Sequence, residues 1–370
     1  MNINVVIYFI LSLLIPLALL SQGSYKKQRG RRIGYNWSSM LLLSFILTVI
    51  IRSIPYDTET DWIYYYEYAK AALEGNYYSW GEHAEIGYQT LVKTIGFFGL
   101  PPISFFFIFA IIWNYSILKL ASKFIYAAPY IVWEAFLYLF NDSLNIYRQY
   151  LGMAFVLMAV AAYLQKRKTK AMILFGLGFS MHVSTIITIP AFLFYFLCNK
   201  YNVGDKMIMC MILLTTIMGS TFLYPLVNYA NNAANLFTSI NSNEYALDSL
   251  LDDEWEQNYV WVRCILSLIV VFFANKIKNQ YQDFSLLYYV SAFFYILSPF
   301  FQQGILARMA MVWRMFIPYM IGVMIYHYLK REKNKVPFFL LSVVIIFDFL
   351  VCFKGIVTSS ELHPYVIKDI

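Results

Sequence analysis

The sequence predicts an all-α, polytopic integral membrane protein, and three observations predict it. Of its 370 residues, 60% are hydrophobic and only 13% charged. The mean hydropathy is +0.58, and the apolar residues fall in runs long enough to span hydrocarbon. The lysines and arginines behind the net charge of +7 sit mostly in short loops between those runs, as the cytoplasmic loops of membrane proteins do. The positive balance is therefore a mark of topology and excludes nucleic acid as its explanation. Cys198, Cys210, Cys264 and Cys352 stand singly in or at the ends of apolar runs, without the paired spacing of a metal site or a disulfide framework.

Val5 to Leu20 is the first predicted span. The basic loop Lys26 to Arg32 follows it with no small-residue cleavage site, so it reads as a retained helix with its N-terminus outside. A second span, about Trp37 to Ile51, ends at Arg52 on the outer side. Segment 53–100 is acidic and aromatic and reads as the first external loop. Within it, Trp62 to Leu73 has no breaker and predicts a helix lying at the interface with its aromatic side in the headgroups. Gly75, Gly81 and Gly87 mark the rest as loop. Pro101 and Pro102 open a third span, since proline fits a first helical turn. A fourth runs from Ala128 to Phe140, and a fifth starts near Tyr147 and descends to Lys166-Arg167-Lys168.

Ala171 to Cys198 is an apolar stretch of 28 residues with basic loops at both ends. At about 1.5 Å per residue it is long for one crossing and short for two. A re-entrant or broken pair of short helices turning near His182 reconciles the two, and irregular backbone at that depth needs protein or water around it. Met207 to Tyr229 then leads to a second external loop, 230–259. Val260 to Ala274, Phe284 to Phe301, Ile305 to Leu329 and Val336 to Phe353 follow, and residues 354–370 form an external tail. The count is about 10 to 12 membrane segments in a single membrane domain over residues 1–370.

On this topology Arg52, Arg148, Arg308 and Arg314 fall on the outer side, where loop arginines are least expected. A guanidinium fork matches a phosphate, and several together would hold a pyrophosphate. The bland alternative is that each snorkels to headgroups or pairs with an acid such as Asp142. Arg308 and Arg314 lie about 240° apart around one helix, so one ligand does not face both. Among the external acids, Asp61 has Trp62 and Tyr64 beside it and Glu85 has Tyr88 nearby. Rings next to carboxylates suit a carbohydrate, and a carboxylate can take the proton of an attacking hydroxyl; the same tyrosines also fit an interfacial belt. His182, between Ser180 and Ser184, is a further base or hydroxyl ligand, or a hydrogen-bonded core residue. Asp252-Asp253-Glu254 reads as a solvated loop. No metal and no cofactor is predicted: the chain carries no glycine-rich phosphate loop, no Gly-x-Ser-x-Gly elbow and no paired Cys or His spacing. ATP-driven transport, serine hydrolysis and zinc chemistry thereby lose support.

The order of these pieces resembles the EpsG family of bacterial surface-polysaccharide proteins, related to the Wzy-type O-antigen polymerases. Arg52 precedes Thr60-Asp61-Trp62 with Tyr64, and Glu85-Ile86-Gly87-Tyr88 resembles a Glu-Pro-Gly-Tyr element. Tyr147-Arg148-Gln149-Tyr150 followed by Ala154 resembles an Arg-Gln-x-x-Ala helix start. His182-Val183-Ser184 matches a His-x-Ser element, Arg308 opens a late helix, and Pro364-Tyr365 ends the tail. Two departures stand out: Ile86 replaces the proline, and Gly152 stands where a larger residue is usual. The resemblance implies a GT-C-like membrane glycosyltransferase at the outer, periplasmic face of the bacterial inner membrane. It would join oligosaccharide repeat units carried on undecaprenyl pyrophosphate, with Asp61, Glu85 or His182 as base. Arg52, Trp62, Tyr64, Tyr88, Arg148, Gln149, Ser184, Arg308, Arg314 and Tyr365 would bind substrate, and a chain-length regulator and a flippase would be partners. A flippase or transporter of the same units is the competing class, although it would carry charge at the midplane and inverted repeats. A ligase passing finished glycan to another acceptor is the third reading, and an acyltransferase lacks a recognisable thioester site.

Overall fold

The structure, a computed structural model, describes residues 10–11, 39–53, 61–75, 84–139, 143, 146–219, 253–281, 283–300, 304–332 and 335–362. Among them the regular structure is entirely helical. The helices are α1 (Ser39–Ser53), α2 (Asp61–Leu73), α3 (Ile86–Phe97), α4 (Ile103–Ala121), α5 (Ala128–Leu139), α6 (Tyr147–Leu164) and α7 (Lys168–Met181). They continue with α8 (Thr188–Lys200), α9 (Asp205–Met218), α10 (Asp253–Ile277), α11 (Phe284–Leu297), α12 (Gly304–Arg314), α13 (Ile317–Tyr326) and α14 (Lys335–Leu362). Four described stretches are long and apolar enough to cross a membrane: Ile103–Phe124, Val183–Lys200, Val260–Ile277 and Met309–Arg331. Phe284–Phe300 is a shorter apolar helix. The chain is an all-α polytopic membrane protein. Its helices group into two compact units, Met1–Ile186 with Ile345–Ile370, and Ile187–Val344.

In the first unit α6 packs between α4 and α7. The apolar face of α4 supplies Phe105, Phe106, Phe109 and Trp113, all buried. Tyr147 meets Phe106 and Phe109 edge-on, each with ring centroids 4.9 Å apart, and Trp113 meets Tyr150 at the same distance. Such pairs contribute about 0.5–1.5 kcal/mol each beyond their buried area. Away from that aromatic face, α6 has small buried residues at Gly152 and Ala159, and close backbone approach is how membrane helices gain contact when lipid offers no hydrophobic drive between them. The turn Gln165 to Arg167 reverses the chain with Lys166 in the left-handed region at φ 61°.

Two differences from the sequence expectations concern segment 53–100. Where the glycines marked loop, Ile86–Phe97 is helical, with Gly87 in its first turn. Where α2 was expected to lay its aromatic side in the headgroups, Tyr65 and Tyr68 are buried. Tyr65 stacks on Phe105 with centroids 5.8 Å apart, and Tyr68 stacks on Tyr88 at 5.7 Å. Protein and not lipid covers that side, because α3 and α4 are there to receive it.

In the second unit α11 packs on α8, α9 and α10. Lys278, just past the end of α10, donates from Nζ to the Tyr289 hydroxyl at 2.8 Å, and that hydroxyl donates to the Val203 carbonyl at 2.8 Å. Burial disfavours the ammonium and pulls the Lys278 pKa below its ordinary value. Trp313 Nε1 donates to the Ile187 carbonyl at 2.6 Å.

Candidate functional site

The predicted break falls at His182. α7 is 14 residues long, about 21 Å of helix, and it stops where His182 turns extended, at φ −159° and ψ 126°. A short 3-10 turn, Val183–Ile187, leads into the next helix. Breaking a helix leaves backbone N–H groups that must find acceptors. Three are accounted for: Val183 N donates to Glu85 Oε1 at 2.9 Å, Ser184 N to His182 Nδ1 at 3.1 Å, and Thr185 N to the His182 carbonyl at 3.1 Å. The Thr185 hydroxyl donates to the same carbonyl at 3.0 Å. The Ser184 hydroxyl lies 2.7 Å from His182 Nδ1.

Glu85, at the head of α3, faces Arg148, in the first turn of α6, with Oε2 and Nη1 3.3 Å apart. Both side chains keep about a fifth of their surface open, 20% and 23%. The Arg148 guanidinium also lies over the Tyr88 ring, 5.8 Å from its centroid, a cation–π placement. Tyr88 is fully buried, and burial, followed by the neighbouring Tyr65, holds its phenol well above the ordinary tyrosine value. It serves as a neutral ring beneath the guanidinium and presents no face on which a sugar could stack.

Close backbone contacts fix the arrangement. A Cβ on Gly152 would lie 2.8 Å from Thr185 Cγ2, 3.0 Å from the Gly178 carbonyl oxygen and 3.3 Å from His182 Cβ. The crossing of α6 and α7 therefore leaves no room for a side chain at residue 152. A Cβ on Gly87 would lie 2.7 Å from the Ser180 carbonyl oxygen, so the first turn of α3 reaches α7 because residue 87 is glycine.

Glu85, Arg148, His182 and Ser184 are thus brought together, with Tyr88 beneath. Gln149 is buried beside Arg148 in the chain, and Tyr64 is exposed. Arg314 is half-buried and belongs, with Arg308, to the second unit. The side chains of Arg52, Asp61, Trp62 and Arg308, and the whole of Tyr365, lie outside the described residues. Sequence reasoning missed Val183, whose amide binds Glu85, and the Gly152–Gly178 approach; the signal for the latter was the two glycines in facing predicted helices.

A family model described as the EpsG family matches residues 38–367. The chain belongs to the EpsG family. No curated protein and no solved structure matches it. Membership in the EpsG family points to a polysaccharide-polymerase type of function and places this membrane protein in polysaccharide biosynthesis. For this EpsG-family chain, Glu85→Ala strips an acceptor from Val183 N–H and a counter-charge from Arg148, and is expected to lower stability by about 1–3 kcal/mol. Glu85→Gln keeps an acceptor and should lose less. Thermal unfolding of the two variants in detergent measures the difference.

Proposed function

We propose that this chain joins oligosaccharide repeat units carried on a lipid pyrophosphate into a surface polysaccharide, acting at the outer face of the bacterial inner membrane. It is a glycosyltransferase of the GT-C-like kind, drawing on no nucleotide sugar and no metal, and works beside a flippase and a chain-length regulator. The acceptor hydroxyl oxygen bonds to the donor's anomeric carbon, and the bond from that carbon to the pyrophosphate oxygen breaks with its electrons going to the pyrophosphate. The hydroxyl proton passes to Asp61, Glu85 or His182. Arg148 compensates the charge that builds on the leaving group, and fixed positive charge aimed at a developing anion is the largest source of rate in such steps. Arg52 is the sequence's further candidate for the same charge.

The observation that carries this reading is the gathering of an arginine, a carboxylate and an imidazole at the break of a membrane helix (Arg148, Glu85 and His182) in an otherwise apolar chain. Ionisable groups so placed mark substrate or ion pathways. The test is purified protein in liposomes, given lipid-linked repeat units and no ion gradient. A ladder of elongated lipid-linked glycans is the expected result. Movement of units between leaflets without elongation would make the chain a transporter, and a single transfer to a different acceptor would make it a ligase.

A further inference from the structure

The hydrogen bonds at His182 decide what its imidazole can do. A backbone N–H can only donate, and the Ser184 amide points at Nδ1 from 3.1 Å. Nδ1 is therefore an acceptor, and the Ser184 hydroxyl, 2.7 Å away, shares that lone pair as a second donor. An uncharged imidazole that accepts at one nitrogen carries its proton on the other. An imidazolium would need a proton at Nδ1, where the amide hydrogen already sits. Among the described residues no hydrogen-bond partner meets Nε2. Among the described residues, the charged groups near the ring are Glu85 and Arg148, the same pair that meets at 3.3 Å.

Resting on the glycosyl-transfer reading above, we infer that the Ser184 amide holds His182 in the tautomer protonated at Nε2, so that this imidazole serves as a hydrogen-bond donor to an oxygen of the leaving pyrophosphate and not as the base. Ser184 is a positioning residue, acting through His182. Of the three groups that could take the acceptor's proton, only the carboxylates Asp61 and Glu85 then remain. The broken helix has a chemical purpose in this arrangement, since a continuous helix would commit the Ser184 amide to the carbonyl four residues earlier and leave the ring free to change tautomer.

Two measurements test this, one independent of activity. The chain has four histidines, His83, His182, His327 and His363, so the 15N spectrum of histidine-labelled protein can be assigned by comparison with His182→Gln. At neutral pH His182 is expected to show a protonated Nε2 and a bare Nδ1, unchanged in Ser184→Ala, which keeps the amide. A proton on Nδ1 in the wild type, or a changed tautomer in Ser184→Ala, would overturn the inference. In the liposome assay, asparagine places its amide where Nδ1 was and glutamine places it where Nε2 was. His182→Ala and His182→Asn should lose about 10²- to 10³-fold in elongation rate, the usual cost of one such donor, while His182→Gln stays within about tenfold of wild type. Elongation by His182→Gln as slow as by His182→Ala, with equal amounts of inserted protein, sinks the donor role alone. Absence of elongation by the wild type sinks the glycosyl-transfer reading, and the 15N pattern still decides the tautomer.

Discussion

Arg148→Ala is expected to abolish polymer formation while leaving inserted protein in the membrane. The guanidinium sits where a loop arginine is least expected on the predicted topology, paired with Glu85 and backed by the Tyr88 ring. A pyrophosphate arriving here would offer Arg148 a more highly charged partner than one carboxylate. Loss of the charge that meets a developing anion costs about 10²- to 10³-fold in rate, enough to erase a ladder on a gel. Arg148→Lys is the informative companion, because lysine keeps the charge and loses the planar fork and the flat stacking face. It should retain part of the rate, with the deficit larger in kcat than in KM. Full-length polymer from either variant at wild-type amounts would remove Arg148 from the reaction.

Gly152→Leu is expected to disrupt the first unit where α6 crosses α7. Its first side-chain carbon would already meet the Gly178 carbonyl oxygen at 3.0 Å and His182 Cβ at 3.3 Å, and a backbone oxygen cannot swing aside. Separating α6 from α7 costs about 1–3 kcal/mol for ordinary overpacking and carries His182 away from its place, where a shift of about 1 Å can cost about 10²-fold in rate. Gly178→Leu should behave alike, since its Cβ would lie 2.8 Å from the Gly152 carbonyl oxygen. Gly176→Leu is the control: nothing lies within 4 Å of a Cβ there, so its melting temperature and its polymer ladder should match the wild type. Equal behaviour of the 152 and 176 variants would mean that the close crossing does not matter.

Much of the fold was legible in the sequence because hydropathy and loop charge follow directly from the cost of burying polar groups in lipid. The break near His182 was legible for the same reason: 28 apolar residues between two basic loops fit neither one crossing nor two. What sequence alone could not supply was contact between distant segments. Glu85 reads equally well as a base or as a loop charge until Val183 N–H and Arg148 are found on either side of it. Tyr88 reads as a sugar platform until its complete burial is seen. The helix Ile86–Phe97 was hidden by Gly87, a residue that signals loop by itself and here is retained for the closeness of Ser180.

The acceptors and close packing that receive the break at His182 all come earlier in the chain: Glu85, Arg148 and Gly152 precede residue 183. A polypeptide synthesised from its N-terminus therefore has the acceptor for the Val183 amide already made when the interruption emerges. The costliest moment of biogenesis, exposing an unfinished backbone to hydrocarbon, is one for which the translated portion is already equipped.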